Sequence, residues 1–214
     1  MAYIPRTDIN TPTPMDKEGK SNNFYYAWNT FYNADWGAPP HVGNCTWYAW
    51  GRFWEISGAT SSSEKRPTLN TGNAEDWYPY TADGYERGQT PKLGAILCLR
   101  DGAYSGWGHV AIVEKIQTDG SIWTSESGLE SQETGLGGFY FRYVRRTPPN
   151  YIYDPDDQYI FQGFIYNPYA EGGGGGGKLK PWIAGAILRR RREYDNAKSR
   201  FTLALRNREL IQLQ

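Results

Sequence analysis

The 214-residue chain holds two cysteines, Cys45 and Cys98, and two histidines, His41 and His109. Nucleophilic and proton-transfer chemistry by these residue types therefore has few possible addresses. Cysteine attacks only as the thiolate, an anion favoured in the first turn of a helix, where unpaired N–H groups and the positive end of the macrodipole meet it. Cys45 has that setting: it follows Pro39-Pro40 and Gly43-Asn44 and opens the segment CTWYAWGRFWEI. A cysteine nucleophile needs a base beside it, and the base needs a third group to orient it. His109 is the natural base. It follows the glycine loop Ser105-Gly106-Trp107-Gly108 and opens the β-branched run HVAIVEKI, so it would stand at a sheet end beside a cleft. His41 lies between Pro-Pro and Val-Gly and reads as loop surface. Glu126 is the candidate orienting acid, with Glu114 and Glu130 as competitors. Each residue also has an ordinary role open to it. Cys45 could be a small buried apolar residue, His109 a solvated strand-start histidine, and the glutamates solvated charges.

The elements that must position these groups follow from hydrophobic period and turn chemistry. In Cys45–Ile56, Trp47, Trp50 and Trp54, and again Tyr48 and Phe53, recur at helical spacing. Residues 57–73 are rich in Ser, Thr, Gly and Pro and read as loop, and Ala74–Tyr80 reads as a short helix. Strands are expected at 95–99, 109–116, 121–126, 139–145 and 160–165, the second and third joined through Asp119-Gly120 as a hairpin. If that hairpin closes with the four residues Gln117–Gly120, Ile116 faces Ser121 and Ala111 faces Glu126. His109 and Glu126 then become diagonal neighbours on one face, about 7–8 Å apart at Cα. A loop one residue shorter would turn Glu126 to the other face. An early helix followed by antiparallel strands makes the fold class α+β.

Charge divides the chain. Residues 1–177 carry 13 basic and 20 acidic side chains and residues 178–214 carry 10 and 3, so the formal net charge of zero sums a body of −7 and a tail of +7. The expected organisation is an extended lead-in at 1–21, a globular domain at 22–170, a glycine linker at 171–177 and a basic helical tail at 178–214. The six glycines Gly172–Gly177 would span about 13 Å. Of the 34 aromatic residues, 31 precede residue 178, enough to build a core. Two cysteines cannot form a disulfide framework, and a structural zinc site needs more Cys and His than this, so no metal or cofactor is expected. No apolar run approaches the roughly 18 residues of a membrane span, and MAYIPRTDINTPTP lacks the apolar stretch of a secretory signal.

The segments around these residues resemble those of a known family. Gly43-Asn-Cys-Thr-Trp-Tyr-Ala-Trp-Gly-Arg52 resembles the nucleophile motif of the CHAP domain family, the cysteine, histidine-dependent amidohydrolases/peptidases of cell-wall metabolism. Gly72-Asn-Ala74 with Trp77, Thr90–Ile96, Trp107-Gly-His-Val-Ala-Ile-Val-Glu114 and Ser121–Ser127 are similar to its further motifs, in order, over roughly residues 22–168. The resemblance implies a papain-like fold with the cysteine at a helix N-terminus facing an antiparallel sheet. It implies Cys45 as nucleophile, His109 as general base and Glu126 as the orienting group, acting on amide bonds of bacterial peptidoglycan as amidase or endopeptidase. Asn44 stands where many members carry Gln, and keeps an amide that could help bind the oxyanion. Gly128 stands where many carry Asn. Trp107, beside His109, is expected in the substrate cleft, where an amphipathic ring suits sugars and peptides. No calcium loop of the family's kind precedes Cys45, and Asp154-Pro-Asp-Asp157 reads as a solvated turn.

Residues 178–214 lie outside the resemblance. Ile187, Tyr194 and Phe201 at seven-residue spacing, with Ala197 and Leu205, put an apolar stripe on a basic helix. Such a helix suits packing in a larger assembly or an anionic surface, and nucleic acid is not expected as a partner. A glycine linker and basic helix after such a domain resemble a bacteriophage protein. The expectation is a virion-associated hydrolase held to tail proteins through residues 178–214, carried on the virion tail or released to act on the host wall. The alternatives are a late-acting endolysin, a non-catalytic wall-adhesion module on a decayed fold, and an intracellular amidase of a small substrate.

Overall fold

In a computed structural model, residues 3–6, 22–31, 44–102, 106–129, 139–153 and 159–170 are described. The expected tail helix at 178–214, the glycine linker, His41, Glu130 and Asp154–Asp157 lie outside them. One helix packs on a six-stranded antiparallel sheet, the α+β arrangement expected. Helix α1 runs Cys45–Ile56. Asn44 caps it: its extended backbone precedes the first turn, and its Oδ1 accepts the Trp47 N–H at 2.8 Å and the Thr46 hydroxyl at 3.0 Å. The helix stops at Ser57-Gly58, where Gly58 takes φ +65° and bonds back to the Glu55 carbonyl at 3.0 Å.

The strands are β1 (Arg87–Gly88), β2 (Ile96–Asp101), β3 (His109–Ile116), β4 (Ile122–Leu129), β5 (Phe139–Arg146) and β6 (Tyr159–Ile165). They lie in the order β1-β6-β2-β3-β4-β5. Central β2 is buried on both faces, which explains its unbroken apolar run. Ile96 and Cys98 join α1, Tyr25 and Trp77 in one cluster, while Leu97 and Leu99 join Ala111, Val113, Tyr151, Phe161 and Phe164 in another behind the sheet. Each large side chain removed from water adds about 1.5–3 kcal/mol, so two clusters of this size hold the sheet from both sides.

Helix α1 is more enclosed than its spacing suggests. Both aromatic stripes are buried, because residues 22–31 cover the side away from the sheet. Gly51 permits this: a Cβ there would collide with the Tyr25 ring. The expected helix at Ala74–Tyr80 is a single 3₁₀ turn, Ala74–Asp76, followed by turns that run into Pro79. The two-residue strand β1 carries too little pattern to read. Of the lead-in, residues 3–6 dock on the fold. Arg6 N–H donates to Glu114 at 2.8 Å, the Tyr3 hydroxyl reaches Glu114 and the Val113 carbonyl (3.1 Å), and Arg52 Nη2 donates to Ile4 O at 2.6 Å.

The β3–β4 hairpin closes with five residues, Gln117–Ser121, so that Ile116 pairs with Ile122 and not with Ser121. One residue, Glu114, is then bulged out between Val113↔Thr124 and Lys115↔Trp123. Beyond the bulge Ile112 pairs with Ser125, and carrying that register on by one residue sets Ala111 opposite Glu126.

Candidate active site

Cys45, His109 and Glu126 meet where the N-terminus of α1 reaches the end of the sheet. The helix start is tied down from β4, where the buried Ser127 hydroxyl donates to the Asn44 carbonyl at 2.8 Å. Ser125 and Ser127 therefore face the helix, and Glu126 between them faces the other way. His109 is the first residue of β3, paired with Leu99 of β2. Gly108 before it takes φ +63°, and a Cβ there would lie 2.6 Å from both the Glu75 nitrogen and the Leu99 carbonyl. Only glycine lets the chain turn into the strand so close to the 3₁₀ segment.

The imidazole is 5% exposed and Glu126 2%. His109 Nε2 lies 3.1 Å from Glu126 Oε2. Cys45 shares the cleft with the same ring and acts on it electrostatically, and with Nε2 engaged the ring nitrogen left is Nδ1. The Tyr159 ring stacks beside the imidazole, centroids 6.0 Å apart at 27°. Behind Glu126 stands Arg146 of β5, 3% exposed, whose Nη2 donates to Glu126 Oε2 at 2.6 Å. Its Nε reaches the Thr124 hydroxyl at 3.1 Å and its Nη1 the Tyr151 carbonyl at 2.9 Å.

Electrostatics follow from this packing. Burial alone would lower the His109 pKa, but the Glu126 carboxylate and Cys45 outweigh it and push it up to about 9. Burial would raise that of Glu126, but Arg146 and His109 hold it down to about 2. Histidine is thus held as imidazolium at neutral pH against a carboxylate that stays ionised. Cys98, by contrast, is fully buried, and desolvation pushes its thiol well above the ordinary range.

Cys45 is partly exposed to a cleft of about 440 Å³. Phe31, Asn44, Thr71, Asn73, Trp107 and Tyr159 are among the residues that line it. Trp107 is 68% exposed, and its carbonyl accepts the Glu75 N–H at 3.3 Å, so a large apolar ring is displayed on a fixed backbone. Asn44 lines the cleft too. Its side-chain oxygen is used by the cap, which leaves the amide nitrogen as its available donor. The Cys45 N–H is in the first turn and has no acceptor inside the helix. A carbonyl carbon at the sulfur would find its proton donor in His109 and its oxygen's donor in that N–H.

Five residues named from sequence line the cleft or stand behind it: Cys45, His109, Glu126, Asn44 and Trp107. Glu114 does not join them. It sits on the helix face, where Arg52 Nε and Nη2 grip its two oxygens at 3.0 and 3.1 Å and Ser125 donates at 2.7 Å. Arg146, Ser127 and Tyr159 had no sequence signal, since each reaches the site through strand pairing or a close of the chain 20 or more residues away. Among the described residues no group of three or more His, Cys, Asp or Glu could hold a metal ion, and no helix is long and apolar enough to cross a membrane.

Residues 32–128 match the family model of the CHAP domain. An N-acetylmuramoyl-L-alanine amidase domain-containing protein of Staphylococcus aureus is 34% identical over 102 residues, 46% of this chain and 14% of that protein. The staphylococcal secretory antigen ssaA2 of Staphylococcus aureus is 39% identical over 85 residues, 39% of this chain and 27% of the antigen. A crystal structure of N-acetylmuramoyl-L-alanine amidase from Staphylococcus aureus is 33% identical, covers 49% of this chain and 28% of that one, and overlays with a TM-score of 0.33. The chain spans about a third or less of the length of the curated relatives it matches.

Proposed function

We propose that the chain hydrolyses amide bonds of bacterial peptidoglycan through a Cys45 nucleophile. The observation that carries this is Cys45 at a helix N-terminus sharing one cleft with His109, which is bonded to Glu126, beside an exposed tryptophan. The amidase relatives support the substrate class. The Cys45 sulfur attacks the amide carbonyl carbon, and the electron pair moves to the oxygen, which the Cys45 N–H and the Asn44 amide can receive. Collapse expels the amine, which takes its proton from His109 and leaves a thioester on Cys45. His109, now neutral, accepts a proton from water as it attacks the thioester. The free acid departs and the thiolate–imidazolium pair is restored. Trp107 offers its face to the sugar or peptide flanking the bond.

Cys45→Ala and His109→Ala are expected to abolish release of soluble fragments from purified peptidoglycan while the melting curve stays that of a folded protein. Full activity in Cys45→Ala would sink the reading. Mass spectrometry of the fragments assigns the bond: free muramic lactyl groups indicate amidase cleavage and split peptides indicate endopeptidase cleavage. We further propose that residues 178–214 anchor the enzyme to a bacteriophage tail, on the strength of ten basic side chains following a run of glycines. Presence of the chain in purified virions tests this, and its appearance only in late lysates would favour an endolysin.

A further inference from the structure

The active series does not end at its third member. Glu126 shares one oxygen, Oε2, between His109 and Arg146, and the guanidinium is as buried as the acid it serves. Every other contact of that guanidinium named here is to a neutral group, the Thr124 hydroxyl and the Tyr151 carbonyl. Arg146 thus faces one charged partner. Counted at the site, the ready state of the proposed reaction contains two anions, the Cys45 thiolate and the Glu126 carboxylate, and one cation, the His109 imidazolium. Arg146 is the second cation, and with it the set sums to zero. Without it the same state would hold a net negative charge on a set of which His109 and Glu126 are buried, which burial opposes.

We infer that Arg146 is a positioning residue that supplies the balancing charge of this four-membered set and so allows Cys45 and His109 to rest as an ion pair. The inference rests on the proposed cysteine chemistry for its catalytic meaning, though not for its measurement. Other groups that face the set are Tyr159 of β6, stacked on the imidazole, and Arg142 of β5, opposite Glu126 in register with its guanidinium over the Tyr153 ring at 5.8 Å. Tyr159 adds no charge at neutral pH, and Arg142 projects its charge toward Tyr153.

The effect has a definite sign. Forming the thiolate takes the set from +1 to 0 in the natural protein. In Arg146→Met it takes the set from 0 to −1, so the thiolate forms at higher pH. Arg146 stands three links from the sulfur; a unit charge at roughly 10 Å and an effective dielectric of about 20 shifts such an equilibrium by about one pH unit.

The test follows the rate of iodoacetamide alkylation of Cys45 against pH, read by mass spectrometry of the Cys45 peptide in the full chain. Arg146→Met is expected to raise the pH of half-maximal rate by about one unit, a roughly tenfold slower reaction on the acid side. Arg146→Lys, which keeps the charge, should hold the midpoint near that of the natural protein. A merely structural arginine would lower the melting temperature and leave the midpoint in place, or give the same shift in Arg146→Lys as in Arg146→Met. Either result overturns the inference. Should Arg146→Met not fold, Arg146→Gln and Arg146→Lys still decide, since only the variant that keeps the charge should keep the midpoint. No substrate enters the assay, so failure to lyse cell walls would strike the proposed function and leave this result standing.

Discussion

Glu114→Gln separates the structural acid from the catalytic one, and its effect can be worked from the bonds it breaks. Glu114 is fully buried and sits among five donors. Its Oε1 accepts from Arg52 Nε at 3.0 Å and Ser125 Oγ at 2.7 Å; its Oε2 accepts from Arg52 Nη2 at 3.1 Å, Arg6 N at 2.8 Å and the Tyr3 hydroxyl. Glutamine can accept at only one end. With its oxygen at the Oε2 position, its NH₂ group meets Arg52 Nε, donor against donor, while Ser125 can turn its hydroxyl to accept. One charge-assisted hydrogen bond and the charge itself are lost. Arg52 keeps Glu55 at 2.8 Å and the Ile4 carbonyl, which places the loss at the low end of the range for a broken buried pair, about 3 kcal/mol. For a domain of roughly 150 residues that lowers the melting temperature by about 6–12 °C. The assay pairs a thermal melt with wall hydrolysis at 25 °C, where the variant is still folded and its rate should stay within about twofold. A melting temperature less than about 2 °C below that of the natural protein would refute the bookkeeping. A tenfold loss of rate with the melt unchanged would refute the assignment of Glu114 to the fold.

Glu126→Gln is expected to lose roughly 10- to 10⁴-fold in rate, the range of an orienting residue. Trp107→Ala should raise KM for wall fragments about tenfold and leave the melting temperature within a degree, because the ring is 68% exposed; an unchanged KM would remove Trp107 from substrate binding. Gly108→Ala should lower both stability, by roughly 1–3 kcal/mol, and rate, because the added carbon meets backbone atoms at 2.6 Å and pushes the His109 strand from the Glu75 turn; normal melting and normal rate together would refute it. Stability should also vary with pH. His109 has its pKa raised to about 9, so its contribution is complete below the ordinary 6.5 and is lost as pH climbs through 9. Glu126 has its pKa lowered to about 2, so its contribution is complete above the ordinary range and is lost as pH falls toward 2. Melting temperature should therefore decline on both sides of a plateau near pH 5–6.5, and His109→Ala should flatten the alkaline decline.

Much of this site was legible because its parts are local. Asn44-Cys45 before an aromatic helix announces a capped N-terminus bearing a thiol, and Gly108-His109 before β-branched residues announces a strand start. Trp107 was legible through its place beside His109, and its glycine neighbours, both with positive φ, turn the chain on either side of it. Arg146 was not, because β5 reads simply as a strand. What gives this arginine its task is alignment with β4, where Arg146 pairs with Ile122 and its long side chain runs back along the face past Thr124 to Glu126. Tyr3 and Arg6 were hidden in the same way, in a segment whose Pro- and Thr-rich composition suggested nothing to bury.

The register of Glu126 shows how local reasoning can reach the right pairing by two errors. A four-residue hairpin loop sets Ala111 against Glu126. The loop has five residues, which by itself would turn Glu126 away, and the bulge at Glu114 restores the alignment. The bulge has no local signature. It is held by Arg52, 62 residues earlier on α1, so the acid that serves the fold also corrects the face on which the other acid lies. That raises the question of whether losing the Glu114 charge would let β4 slip. A slip by one residue would turn Ser125 and Ser127 off the helix and break the Ser127 bond to Asn44. It would also part Glu126 from Arg146, against the eight residue pairs that join β4 to β5. Those costs are each of hydrogen-bond size or larger and fall together, so they exceed the roughly 3 kcal/mol lost at Glu114. The register is held from both ends of β4, and Glu114→Gln therefore weakens the protein without moving Glu126.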